Sequence, residues 1–445
     1  MKKITFIYPA IGKKPGQKYI RTWKMEPLPI ATLAALTPEH IEKELFDDRL
    51  ELINYGTATD LVAITVETYT ARRAYHIADR FRERGVRVVL GGYHPTHLPD
   101  EAAEHADAVV VGNAESVWEQ VLKDAGNGGM KRRYHGRSGE FRVLPDRRIF
   151  RGKKYLKLGL VETGRGCPFQ CEFCHITTYY GARYYNRPVA DVVADVKRSG
   201  RRLFFFCDDN FVANPQYTIE LCRELRKLNI RFAGQGTLTM AKNPELLREL
   251  RRAGCVLLLI GFESMADENL QGVGKAWMNT IGERGELVDR IHAEGISIYA
   301  SFIFGLDHDT HATFDQAVVF ALEKDFYYAA FNHLLPFPET PLYRRLQEQN
   351  RLLNPRWWLD GEYRYGDIAF QPGHMSPQEL TEGCLRARRR FFSYPSITKR
   401  AVRLLRRYPS LSFLWVYLHS NLNLKDEVEG KFNLPLGKGL DELPK

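Results

Sequence analysis

A chain of 445 residues has room for two or three domains and a full hydrophobic core. With 44% hydrophobic and 27% charged residues, it is neither a polytopic membrane protein nor a disordered chain. Lys and Arg exceed Asp and Glu by 64 to 54, and the stretch from Gly383 to Lys425 holds ten basic residues and no acidic one, so the surplus is local.

The opening Met1-Lys2-Lys3-Ile4 lacks the long apolar core and small-residue cleavage site of a secretory leader. It runs into a short apolar strand pattern, Lys2–Tyr8. Leu61–Val66, Val86–Leu90 and Ala108–Val111 also read as buried parallel strands, being short, β-branched and bounded by turns. Ala71–Arg84 carries helical spacing at Ala71, Ala74, Ile77, Ala78 and Phe81, and Ser116–Lys123 reads as another helix. This alternation predicts a doubly wound, Rossmann-like α/β domain over residues 1–135. A Gly-rich, basic stretch, Ala125 to Arg137, reads as linker, and residues 136–155 lead to the next domain.

Residues 156–345 alternate again, with strands expected at Leu158–Glu162, Leu203–Cys207, Ile230–Gly234, Val256–Ile260, Ile298–Phe304 and Ala329–Leu334. Six strand–helix units suit a partial (β/α)6 barrel with its chemistry at the carboxyl ends of the strands. Residues 346–445 read as mainly helical. Within them Ser396–Tyr408 places Ile397, Ala401, Leu404, Leu405 and Tyr408 on one helix face and Lys399, Arg400, Arg403, Arg406 and Arg407 on the other. Pro409 stops that helix, and the apolar run Leu411–Leu418 after it is too short to span a bilayer. A basic amphipathic helix beside an apolar aromatic run suits an anionic membrane surface. A docked helix with a solvated basic face is the alternative, and an RNA-binding tail ranks below both for want of a recognised module.

At the end of the first barrel strand stands Gly164-Arg165-Gly166-Cys167-Pro168-Phe169-Gln170-Cys171-Glu172-Phe173-Cys174. A short Gly/Pro loop can wrap three thiolates around one iron–sulfur cube, leaving one iron open to an external chelator. A three-Cys zinc site completed by His175 is the competing reading, but chelation directly beside Cys174 would be strained. Cys207, Cys222, Cys255 and Cys384 show no ligand spacing and read as core thiols. Seven cysteines are too sparse for a secreted disulfide framework and suit a reducing cytoplasm.

The C-x3-C-x2-C spacing, with its Gly-Cys-Pro lead-in and aromatic residue before the last Cys, resembles the radical S-adenosylmethionine (SAM) enzymes. Further motifs resemble the subgroup with an N-terminal cobalamin-binding domain. They are Phe205-Phe206-Cys207-Asp208-Asp209-Asn210, Ile260-Gly261-Phe262-Glu263-Ser264, Phe304-Gly305-Leu306-Asp307-His308-Asp309 and Leu335-Pro336-Phe337-Pro338-Glu339-Thr340-Pro341. The resemblance implies that Cys167, Cys171 and Cys174 hold a [4Fe–4S] cluster whose open iron chelates SAM. One electron then cleaves SAM to a 5′-deoxyadenosyl radical. Phe173 would lie near the adenine, Asp208 and Asp209 near the methionine ammonium, and Glu263 near the ribose or methionine end.

By the same resemblance Thr65, Gly91 and Gly92 would face cobalamin. The D-x-H-x-x-G pattern of a histidine lower ligand is absent from the N-terminal region. Asp309-Thr310-His311 matches its first half but lies in the barrel, with Phe314 at the Gly position. A vestigial domain without corrinoid is the alternative. The departures are His175, where small polar residues are common, and Glu339, where Gly is usual. The implied substrate is a large, mostly apolar small molecule modified at an unactivated carbon. An isoprenoid or membrane lipid comes first, then a tetrapyrrole, peptide or antibiotic intermediate. C-methylation and cyclisation or other C–C bond formation both stay open. The implied partners are a one-electron reductant such as flavodoxin or ferredoxin and an anionic membrane surface, with no nucleic acid, in a cytoplasmic protein. A corrinoid- or redox-sensing binding protein is the non-enzyme alternative, disfavoured by the intact cluster cysteines.

Overall fold

The computed structural model describes residues 1–139, 141–407 and 410–441. Its first sheet runs β1 (Lys3–Tyr8), β2 (Glu42–Asp47), β3 (Leu61–Thr65), β4 (Arg87–Gly91), β5 (Ala108–Val111) and β6 (Arg133–His135). The strands are all parallel in the order β2-β1-β3-β4-β5-β6. Along β3 to β5, Val62, Ile64, Val88, Leu90 and Val109 are buried on one face and Ala63, Val89 and Val110 on the other. Strands apolar on both faces need helices on both sides, and short βα connections place them there. The strand order reverses between β1 and β3, so a crevice opens at the carboxyl ends of these strands.

Two of these strands have no clear sequence signal. β2, Glu-Lys-Glu-Leu-Phe-Asp, is an edge strand with Glu42 exposed and Asp47 buried against Arg49 at 2.6 Å. β6 lies inside the stretch read as linker. It is recruited by burial of Tyr134, whose hydroxyl donates to Asp124 at 2.8 Å.

β7 (Gly159–Val161) opens the second sheet, and a small antiparallel pair, β8 (Gly164–Gly166) and β9 (Tyr184–Asn186), flanks the cysteine loop. β10 (Leu203–Phe206), β11 (Arg231–Gly236), β12 (Cys255–Glu263), β13 (Ser297–Phe304) and β14 (Tyr328–His333) then pair in sequence order beside β7, all parallel. β7 and β14 form its two edges, so the barrel is partial, as expected. Residues alternate along its strands. Leu258, Ile260, Ala300, Phe302 and Phe331 are buried in the core, whereas Leu259, Gly261, Tyr299, Ser301 and Ile303 are half-buried and face the concave side.

The C-terminal region is mainly helical, with helices Pro377–Phe391, Tyr394–Arg407 and Leu411–Lys431. The exception is a two-residue ladder pairing Arg364–Tyr365 with Leu434–Pro435. Trp357, Trp358, Tyr363 and Leu436 are buried in the core of the N-terminal sheet. The helix after Ser393 is not uniformly basic on its outer side. Arg400 is fully buried, donating to the Phe391, Phe326 and Tyr327 carbonyls at 2.9 to 3.3 Å. Its guanidinium also stacks over Phe391 at 3.8 Å. Arg403 pairs with Asp325 at 2.8 Å. Tyr408 and Pro409, read as the end of that helix and its stop, lie outside the described residues.

Candidate active site

The cysteine loop starts where β7 turns outward, and acids at the end of β10 hold that turn. The Thr163 N–H donates to Asp208 Oδ1 at 2.6 Å, and its hydroxyl donates to Oδ2. The Gly166 N–H donates to Asp209 Oδ2 at 2.8 Å. Burial raises the Asp208 carboxyl to about 8 and that of Asp209 to about 6. Both acids therefore brace the loop, and Asp208 spends both oxygens on Thr163, one on its N–H and one on its hydroxyl. Gly166 sits at φ +84°, where a Cβ would lie 2.1 Å from the Arg183 carbonyl oxygen on the approach to β9. Only glycine fits that crossing.

Cys167, Cys171 and Cys174 follow on this one loop, all as free thiols. Asn210 directs its amide at Cys167 Sγ from 3.8 Å. Phe173 is half-buried against the barrel core. Cys174 leads into the helix His175–Tyr180. The His175 ring meets Tyr93 and Phe337 edge-on at 5.0 and 5.1 Å, and burial lowers its pKa to about 4. That imidazole belongs to an aromatic cluster, which removes the fourth ligand from the zinc reading.

Residues without a motif hold the far side of the loop. Gly274, at φ +74°, packs so closely that a Cβ would stand 2.6 Å from the Gln170 carbonyl oxygen. Next to it Lys275 is buried and donates to Glu263 at 2.7 Å and to the Gly261 carbonyl at 2.9 Å. Glu263 has φ +60°, a backbone strain that such sites store. Trp277 stacks on Phe169 at 4.3 Å. Glu172 pairs with Arg345 at 2.6 Å, Arg345 with Asp307 at 2.7 Å, and Asp307 with Arg351 at 2.8 Å. This chain of charges ties the loop to the end of β13. Asp309 accepts from the Gly305 and Leu306 N–H groups and from Asn269, so it shapes that strand end. His311 lies outside with Glu379.

Between this loop and the N-terminal sheet lies a cleft with about 1170 Å³ of atom-free space, mouth included. Thr65, Gly91 and Gly92, read from sequence, line it together from the ends of β3 and β4. Glu162, Arg165 and Cys207 line it from the barrel side. Cys207 is thus a cleft residue, unlike the buried Cys222, Cys255 and Cys384. Arg165 bridges the two walls, contacting Glu115 at 2.7 Å and Glu162 at 2.8 Å. Tyr179 adds a second tie, donating to Asn113 at 2.8 Å.

Comparison with known proteins matches this geometry. Residues 161–321 fit the family model of the radical SAM superfamily. Over 389 residues the chain is 30% identical to the bacteriochlorophyllide d C-12(1)-methyltransferase of Chlorobaculum tepidum, covering 84% of each protein. The chain belongs to the radical SAM superfamily. It is also 30% identical over 221 residues to the hopanoid C-2 methylase of Rhodopseudomonas palustris, covering 47% of this chain and 42% of that one. Its fold is that of the cobalamin-dependent SAM radical enzyme OxsB, with a TM-score of 0.67 at 16% identity over 98% of this chain and 77% of that one. In this radical SAM enzyme, sequence reading singled out the cysteines and strand-end acids but missed Lys275 and Arg345. The Gly274-Lys275 pair carries only a turn signal, and Arg345 is an ordinary charge until the fold brings it to the cysteine loop.

Proposed function

We propose that this radical SAM enzyme transfers a methyl group to an unactivated carbon of a large, mostly apolar substrate of the tetrapyrrole class, using cobalamin. The observation that carries the reading is the cleft walled on one side by Thr65, Gly91 and Gly92 and on the other by Glu162, Arg165 and Cys207. Its apolar floor, including Ala63, Val89 and Val110, suits a broad flat cofactor at the switch point of a parallel sheet. Three free thiols on one braced loop fit a [4Fe–4S] cluster.

Cys167, Cys171 and Cys174 would hold that cluster, which supplies the electron for SAM cleavage, while cobalamin in the cleft supplies the methyl group. This chain's residues do the positioning. Asp209, whose Oδ2 accepts from Gly166, would offer its other oxygen to the SAM ammonium, and Glu263 with Lys275 would present a fixed charge pair at the end of β12. Phe173 would serve the adenine. Arg165 holds the two walls at a set separation, which reactions between bound groups require. Tyr93, His175, Phe337 and Tyr69 form a continuous half-buried aromatic wall, backed by the buried Trp357, that would exclude water and stack on a planar ring. The longer alignment, over 84% of the chain, is with the enzyme named for a bacteriochlorophyllide, which favours a tetrapyrrole over a lipid.

Anaerobic reconstitution with cobalamin, a reductant and SAM carrying a deuterated methyl group tests this with bacteriochlorophyllide d as acceptor. A corrinoid spectrum, 5′-deoxyadenosine and a product bearing the labelled methyl are expected. An unlabelled, ring-closed product would replace methyl transfer by cyclisation. Cys171→Ala should abolish both cluster absorbance and 5′-deoxyadenosine formation, and persistent absorbance would overturn the ligand assignment.

A further inference from the structure

The helices Tyr394–Arg407 and Leu411–Lys431 pack side by side through Ile397, Ala401, Leu404 and Tyr417, which are buried against Tyr327. The apolar face expected to meet a membrane is therefore spent on the protein's own core. The tertiary structure also engages several of the local cations. Arg389 pairs with Glu429, Arg390 with Asp315 and Arg403 with Asp325, and Arg400 is buried. Arg386, Lys399, Arg406 and Arg407 remain exposed and make no close ion pair among the described residues, although Arg407 lies within electrostatic reach of Asp325 and His292. Lys399, Val402 and Arg406 stand three and four residues apart on one outward face, where Val402 is 49% exposed.

The second helix offers the apolar complement. Leu411, Trp415 and Leu422 recur at helical spacing on the face away from Tyr417, with Leu411 80% and Trp415 65% exposed. Arg406, Arg407 and Leu411 lie at the same end of the helix pair, so exposed cations and exposed apolar groups share one tip. Among the described residues no helix is long and apolar enough to cross a membrane. We infer that this tip seats the enzyme on an anionic lipid bilayer, with Leu411 and Trp415 inserted at the headgroup boundary and Lys399, Arg406 and Arg407 facing lipid phosphates. The chemistry decides between occupants. From Gly383 to Lys425 there is no acidic residue, so a second copy would bring like charge against like charge, whereas an anionic headgroup layer is complementary. The inference stands apart from the substrate reading.

Flotation of the full chain with vesicles tests it. Binding to phosphatidylglycerol-rich vesicles and not to pure phosphatidylcholine is expected, weakening about tenfold in high salt and in Arg406→Glu/Arg407→Glu. Leu411→Ser/Trp415→Ser should lose binding comparably, while circular dichroism and the cluster spectrum stay unchanged. Equal binding by wild type and both variants, or no binding to either vesicle, would overturn the proposal. So would a concentration-dependent dimer abolished by Leu411→Ser/Trp415→Ser, which would make the occupant a second copy.

Discussion

Asp208 and Asp209 show how far a strand-end acid can be read from its position. Both sit where the motif places them, at the end of β10, yet their first partners are Thr163 and Gly166 of the chain itself. Three thiols at fixed spacing on one loop are legible because local sequence alone sets their separation. Lys275 is not, since its meaning comes from burial against Glu263 twelve positions earlier. A buried imidazole gives a similar lesson in stability. His292 packs near Phe326 with Arg407, Asp289 and Lys324 around it, and burial lowers its pKa from 6.5 to about 3. The unfolded chain takes up a proton near pH 6.5, whereas the folded chain takes it up only near 3. Stability present at neutral pH is therefore lost as pH falls through that window, by up to about 1.4 kcal/mol per pH unit. Denaturant titrations of wild type and His292→Leu should show the wild type losing ground to the variant below pH 6.5. A gap independent of pH would contradict this.

At the scale of elements, the strands of both sheets were readable because short apolar runs bounded by turns have few other solutions. β2 and β6 were not, the first because an edge strand can be charged and the second because Gly-rich flanks mask three paired residues. The helix Tyr394–Arg407 was legible as a helix but misread on one face. Among the described residues Arg400 has no carboxylate partner within hydrogen-bond distance. It satisfies the carbonyls of Phe391, Phe326 and Tyr327, capping a helix end and the entry to β14. Arg400→Leu should cost about 2–4 kcal/mol in chemical denaturation, because those buried carbonyls lose their donor. Lys399→Leu, on the exposed face, should cost under about 0.5 kcal/mol. Similar costs for the two would place Arg400 at the surface.

At the scale of the molecule, the three regions are not beads on a string. Trp357 and Trp358 from the C-terminal region fill the core of the N-terminal sheet, with Trp358 donating to Glu101 at 3.1 Å and Trp357 to the Pro336 carbonyl at 3.1 Å. Arg73 pairs with Asp48 and with Asp441, near the far end of the chain. The helix Leu411–Lys431 reaches back to Thr22 and Trp23 through Glu427 and Lys431. Trp357→Ala should cost about 3–5 kcal/mol and loosen the N-terminal sheet from the barrel. Hydrogen exchange should then rise first in β3 and β4; protection left intact there would contradict the packing role.

The sequence by itself determined the superfamily, the cysteine loop, most strands of the two parallel sheets and the confinement of the charge surplus to one segment. These rest on local spacing and periodicity, which a linear chain carries in full. The tertiary structure alone decided which acids brace the cysteine loop and which wall of the cleft Cys207 joins. It also decided which of the ten clustered cations remain free to meet a partner. Each of those outcomes depends on groups far apart in sequence competing for the same buried space, and only the folded chain sets the winners.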